Sequence, residues 1–471
     1  MKPGTDTFKE QLILPQGSDS PVRKQYSITL RIPMLRIHTL LIRTLRIPAL
    51  RMSALFLLLL AVASTRTFAQ GNNAPYSQFG LGDLDNGYYN RTTGLANTGI
   101  AYRSNRFLIN NNPASFTGLS DQYFTMETAI RGQYSSYAGS QVNVASTDAA
   151  DITFRKLVLG IKLSHHWGSS IGLLPYSTQN YEFQVPYNIA GTTLQIADHY
   201  YQGHGSVNRA YWANAFEFFH HLSIGVDASY IFGQLNQNDI IQATSTGATL
   251  VSTTNNTSLQ NLYVTYGAQL YGRVGRNWNY SIGGTYSGKG SLLAASTKQV
   301  LNNDSIMLQN IQNQEGYLDL PEAWGVGIAL TNKQKYTFVA DYRYQNWNGV
   351  ASQNAYPGQA YSLASAQRGS IGFEISKKKA FYNTMVELNY LQAGLFYENS
   401  YLQINGQQIK DYGVSFGFGA NGLKSPLSYS VIFQYGIKGT TKNDLIRQNY
   451  ADVTFIINFG QIWYTKGKKF D

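Results

Sequence analysis

Six charged residues fall at alternating, otherwise polar positions of the chain: Asp227, Arg273, Asp341, Arg343, Glu374 and Glu387. Carboxylates and guanidinium groups on one face of extended chain can do two things. They can pair with one another as an internal salt-bridge network, or Arg273 or Arg343 can capture a ligand carboxylate through charge-assisted hydrogen bonds. The network is the plainer reading. Two histidine pairs, His165-His166 and His220-His221, raise metal binding or general-base chemistry. Neighbouring side chains in extended chain point to opposite faces, however, so each pair chelates poorly and reads as a solvated turn. His199 has only Asp198 nearby, on the opposite face, and His204 has no nucleophile within reach in sequence. The chain has no cysteine, and no phosphate loop, zinc spacing or calcium loop is present. No cofactor and no enzymatic activity are therefore expected. Asn90-Arg91-Thr92 fits a glycosylation sequon only formally.

The elements that must position these residues are strands. Leu222, Ile224, Val226, Ala228, Tyr230 and Phe232 alternate with Ser223, Gly225, Asp227, Ser229, Ile231 and Gly233. That period of two is the signature of a strand. It recurs at 262–271, 336–345, 412–419 and 427–437, where the second face is often Ser, Gly, Gln or charged. A soluble sandwich also alternates, with its apolar face inside, whereas a membrane barrel turns the apolar face to lipid and the polar face to the lumen. Abundant aromatics (35 Tyr, 23 Phe), only 13% charged residues and a mean hydropathy of −0.25 favour the barrel. About fifteen segments qualify, against the even number usual for such barrels. Fourteen strands are expected, twelve and sixteen remaining open, with the uncertainty at 194–218 where Gly203-His204-Gly205 interrupts the pattern. Stretches 234–261, 298–316 and 349–362, rich in Asn, Ser and Thr, read as long extracellular loops.

An apolar run, Ser53 to Ala63, follows Arg43, Arg46 and Arg51 and precedes Thr67-Phe68-Ala69, a suitable cleavage site. Residues 1–69 read as an extended leader with a signal peptide, translation starting at Met1 or Met34. The leader holds ten of the 37 basic residues and three of the 26 acidic ones. The high pI therefore belongs largely to the leader, and no nucleic-acid partner is implied. Residues 70–120 read as an N-terminal arm and plug, 121–465 as an all-β transmembrane antiparallel barrel, and 466–471 as a basic tail. A bacterial outer-membrane location is expected, with lipid and lipopolysaccharide around the wall.

Several short motifs give the barrel a closer likeness. Gly94 to Ala101 leads to Asn112-Pro113-Ala114-Ser115; Trp167 to Tyr176 contains Pro175; Leu320-Pro321 and Trp324 to Gly327 precede Asp341-Tyr342 and Trp347; Phe459-Gly460 leads to Trp463-Tyr464. Together they resemble the FadL-like family of outer-membrane transporters for long-chain fatty acids and other hydrophobic compounds. The resemblance implies a hatch shaped by Asn112, Pro113 and Ala114, uptake of an apolar ligand and sideways release through a gap in the wall. Asn-Pro-Ala alone would indicate only a turn. Pro175, lacking an N–H, is the candidate for that gap, and the alternative is that it merely ends a short strand. Asn73 to Leu81 is a candidate gating arm. A solitary monomer carrying a hydrophobic small molecule is the first expectation. The alternative is an accessory barrel of a protein secretion or outer-membrane assembly complex, as in type IX secretion, with other envelope proteins as partners.

Overall fold

The computed structural model describes residues 74–139, 148–188, 195–243, 249–302, 306–348, 361–381, 384–422 and 425–462. The leader, its apolar core, Asn73, Trp463-Tyr464 and the basic tail lie outside the described residues. An arm strand, β1 (Asp83–Leu84), precedes the wall. The wall then runs β2 (Tyr123–Ala138), β3 (Asp148–Ser164), β4 (Trp167–Asn188), β5 (Gln195–Phe218), β6 (Leu222–Ala243) and β7 (Thr249–Val274). Next come β8 (Trp278–Ser287) with β9 (Gly290–Asn302), and β10 (Met307–Leu320) with β11 (Glu322–Asn332). After β12 (Tyr336–Asn346) follow β13 (Tyr361–Leu363) with β14 (Ala366–Phe381), then β15 (Thr384–Ile404), β16 (Gln407–Asn421), β17 (Leu427–Gly439) and β18 (Arg447–Ile462).

Three of these pairs are halves of one wall strand. β8 and β9 are separated at Gly288-Lys289 but both pair with β7, and Pro321, which has no N–H for the ladder, separates β10 from β11. The wall is therefore a closed barrel of fourteen antiparallel strands, sealed where β18 pairs along β2 from Arg447↔Ala138 to Ile462↔Tyr123. Gly203-His204-Gly205 does not split β5. The strand passes straight through, with Gly205 at φ +147, a conformation a side chain would resist.

Ile224, Val226, Tyr230 and Phe232 of β6 point outward and are exposed, as are Ile171, Leu173, Trp212, Ile282 and Ile328. Their polar alternates point inward. On β8, Trp278 and Tyr286 bracket this apolar band eight residues apart, roughly 20 Å of membrane depth at the usual strand rise and tilt. No helix among the described residues is long and apolar enough to cross a membrane.

Two expected loops are corrected. Residues 234–243 and 249–261 continue β6 and β7 as a paired hairpin, and 298–302 with 307–316 continue β9 and β10. β7 reaches 26 residues, where a membrane crossing needs about 9–11. Outside the bilayer both faces of a strand meet water, so the apolar alternation that reveals a strand disappears while the ladder persists. Of the third expected loop, 349–360 lie outside the described residues and Tyr361–Leu363 forms β13.

Candidate functional site

The lumen is filled by residues 89–119, nearly all of them buried. Three short 3-10 turns organise the arm and hatch: Pro75–Gln78, Arg91–Leu95 and Pro113–Gly118. Asn90 caps the second, accepting from the Thr92 backbone N–H at 2.9 Å, while the Thr93 hydroxyl accepts from the Asn90 N–H. The triplet that looked like a sequon is thus a helix start. Asn112 caps the third, accepting from Ala114 N–H at 3.0 Å, and Pro113 follows at the position where proline suits a helix start. The Asn112 amide also donates to Ile100 O, Ala268 O and Gly284 O, joining hatch to wall. Gly267 faces this cap, and a Cβ there would stand 2.1 Å from the Asn112 Oδ1.

The wall holds the hatch by apolar packing, as of Leu95 and Phe107 with Val339 and Tyr390, and by charge. Arg91 donates to Glu374 at 2.7 and 3.0 Å and to Glu387 at 2.6 and 2.7 Å, its guanidinium lying over the Tyr390 ring. Glu374 also accepts from Tyr102 and from Gln392, and Gln392 donates to the Arg91 carbonyl at 2.9 Å. Asp341 accepts the backbone N–H groups of Gly99 (2.6 Å) and Ile100 (2.9 Å), while Arg343 donates to Asn97 O at 3.0 Å. Glu127 takes the Leu108 N–H and pairs with Lys156 at 2.6 Å, both side chains fully buried. Asp227 is half-buried, accepts from Ser229 at 2.7 Å, and makes no direct contact of this kind with the hatch. Arg273 stands exposed beside a vestibule of about 1500 Å³ at the short-turn end. Four of the six predicted charges therefore converge on the plug and two do not.

Pro175 lies beside a break in the wall. The β3–β4 ladder ends at Leu157↔Leu173, two residues before it. Residues 148–156 of β3 pair with β2 but not with β4 among the described residues, and a bulge lies opposite Ala129 and Ile130. β4 continues past Pro175 paired with β5, through a register shift between Pro175 and Ser177. Pro175 thus does not end the strand. The β4 edge left bare by β3 is taken by the arm: Asp83 pairs with Thr178, Leu84 with Ser177, and Asp85 N–H donates to Tyr176 O at 2.9 Å. Asp85 reaches across to Arg155 of β3 at 3.2 Å, and Asp83 pairs with Lys438.

Beyond this contact the arm buries Tyr76, Phe79 and Leu81 among Val207, Ile231, Leu259, Trp347, Tyr401 and Ile404. Phe79 is 1% exposed, its ring 5.1 Å from that of Tyr361. The apolar part of the lumen is occupied by the chain itself. The open space beside it, about 370 Å³, is lined by charges of both signs, among them Asp85, Arg131, Arg155, Arg368, Asp411 and Asp452. His204 lines it too, whereas the His199 ring packs on Tyr201.

Sequence reasoning missed Arg91, Asp85 and Arg155 because each lies outside regular alternation: in a hatch turn, beside a two-residue strand and at a bulge. It also treated the histidine pairs separately, although the wall brings His166 and His220 to one place.

A fourteen-strand barrel with an N-terminal plug defines the class: this is the fold of FadL-type outer-membrane channels. The CymD monoaromatic hydrocarbon channel aligns at a TM-score of 0.51 and 13% identity, covering 79% of this chain and 96% of that one. A Pseudomonas aeruginosa FadL homologue aligns at 0.52 and 10% identity, and the P. putida toluene transporter TodX at 0.51 and 14%, each covering 79% of this chain and 98% of the other. By sequence the chain belongs to the BamG family, whose family model matches residues 52–471. The expected likeness to FadL therefore holds for the fold, while the sequence family carries another name. No curated protein matches the sequence.

Proposed function

We propose that the protein is an outer-membrane transporter for a hydrophobic small molecule, of long-chain fatty acid type, in which the N-terminal arm closes both the apolar pocket and a lateral exit between β3 and β4. The observation that carries this reading is the arm's double seat. One segment fills an apolar pocket inside the lumen, and the next completes the β4 edge where β3 stops pairing. A ligand that competes with Tyr76, Phe79 and Leu81 for the pocket would pull Asp83–Asp85 from the gap, coupling binding to release. The neighbours named as hydrocarbon channels and a toluene transporter support this reading through their fold.

A second reading has its own support. The hairpins formed by β6, β7, β9 and β10 extend beyond the apolar band, and Ile306, Met307 and Leu308 near the tip are each at least 50% exposed. Exposed apolar side chains on a projecting sheet suit a protein partner. They favour an accessory subunit of an envelope secretion or assembly complex. Two measurements on detergent-solubilised membranes separate the readings. The transporter reading expects a stoichiometric amphiphile in the lipid-extract mass spectrum of the purified protein and no stoichiometric partner. Co-purification of envelope proteins at one-to-one ratio, with no bound amphiphile, would establish the accessory role instead.

A further inference from the structure

At the short-turn end, the turn between β3 and β4 carries His165-His166 and the turn between β5 and β6 carries Phe219-His220-His221. Pairing of β4 with β5 up to Trp167↔Phe216 sets the two turns side by side, and Glu217 N–H donates to His166 O at 2.9 Å. The outer member of each pair is engaged elsewhere: His165 Nδ1 meets Asp121 at 2.8 Å, and His221 Nδ1 meets Tyr271 O at 3.2 Å. His166 and His220 are left facing each other, ring centroids 5.5 Å apart, with the Glu217 carboxylate 3.8 Å from His220 Nδ1. Their ligand atoms all lie within 4.8 Å of one another.

From this geometry we infer that His166, Glu217 and His220 form a binding site for a borderline divalent transition-metal ion such as zinc. Two imidazoles and one carboxylate are a ligand set that zinc takes, with metal–ligand distances of about 2.0–2.2 Å and an open fourth position for water. Tetrahedral ligand atoms then stand roughly 3.3 Å apart, so closing from 4.8 Å requires only rotamer changes in two exposed histidines. The backbone of the second turn is already committed, with Phe219 at φ +50 and His220 at φ +58. Left-handed backbone at two successive non-glycine residues of this three-residue loop is disfavoured, above all for a bulky aromatic. Lys162 and Arg103 lie within charge–charge range of Glu217 and compete with the ion for it, which sets a demanding test. A bound ion would tie the foot of β4 to the β5–β6 turn, below the same strand that borders the gap near Pro175.

The test is calorimetric titration of zinc into chelator-treated, full-length protein in detergent, purified without a histidine tag. Expected is one ion per chain, affinity lowered tenfold or more in His166→Ala, His220→Ala and Glu217→Gln, and changed less than threefold in His165→Ala and His221→Ala. Heat-modifiable migration in gels checks that each variant forms the barrel. Absence of a saturable site overturns the inference, and so does any pattern in which His165→Ala or His221→Ala weakens binding as much as His166→Ala.

Discussion

Replacing Arg91 by alanine is expected to release the hatch from the wall. The Arg91 side chain is 5% exposed and satisfies two carboxylates at once, so its removal leaves Glu374 and Glu387 facing each other in the lumen with only the half-buried Lys378 as a nearby cation. Breaking a buried ion pair from one side costs about 3–5 kcal/mol, because the desolvated partner keeps its charge and loses its compensation. At about 1.4 kcal/mol per tenfold, that raises local opening of the plug by roughly two to three and a half decades. Protease cleavage within residues 89–119 and ion conductance in planar bilayers should both rise steeply, while heat-modifiable migration of the barrel is retained. The triple variant Arg91→Met, Glu374→Gln, Glu387→Gln, which removes all three charges together, should recover much of the loss. Equal protease resistance in wild type and Arg91→Ala would show that the hatch is held by packing alone.

Truncating Phe79 to alanine is expected to free the arm. The ring fills an apolar site formed by Trp347, Tyr361, Tyr401 and their neighbours, and core truncations of this size cost about 3–5 kcal/mol. The arm lacks a sheet of its own. Its polar hold comes from Asp83–Leu84 on β4, the ion pairs of Asp83 with Lys438 and Asp85 with Arg155, and hydrogen bonds such as Tyr76 with Ile446; the rest is apolar burial. Losing the ring should therefore shift the arm toward the open position by a hundredfold or more. An apolar fluorescent probe should bind the Phe79→Ala barrel at least tenfold more tightly than wild type. A truncation at Phe232, which faces lipid, should leave probe affinity unchanged.

The wall was legible in the sequence because lipid on one side and a packed plug on the other impose opposite chemistry on alternate residues. Residues 222–233 show this clearly, and the closing partner of β2 was visible in Val453, Phe455, Ile457 and Phe459. The hairpin extensions were illegible for the converse reason: Asn255, Asn256 and Thr257 meet water, and only their register with 235–237 and 296–298 marks them as strand. For the site, inward charges were recognisable from alternation, but their partners were not. Asp341 and Arg343 bind backbone atoms of Gly99, Ile100 and Asn97, which leave no trace in side-chain type. Pro175 was detectable as a missing donor. The strand segment that fills the gap, Asp83–Leu84, is too short for any periodicity. The grouping of His166, Glu217 and His220 arises from pairing of β4 with β5, a relation between turns about 50 residues apart in the chain, and short-range spacing cannot express it.

On the proposed function, the arm must leave the β4 edge for an apolar molecule to pass. Because the chain has no cysteine, Leu84→Cys with Ser177→Cys creates a single possible disulfide between residues paired across β1 and β4, within the Cα spacing a disulfide spans. Uptake of a radiolabelled long-chain fatty acid by cells carrying this variant, measured oxidised and then after reduction, reads the arm directly. Loss of uptake in the oxidised state, restored by reductant and absent from either single-cysteine variant, is the predicted result. Uptake that is the same with the arm locked and with it free would show that the arm does not gate passage.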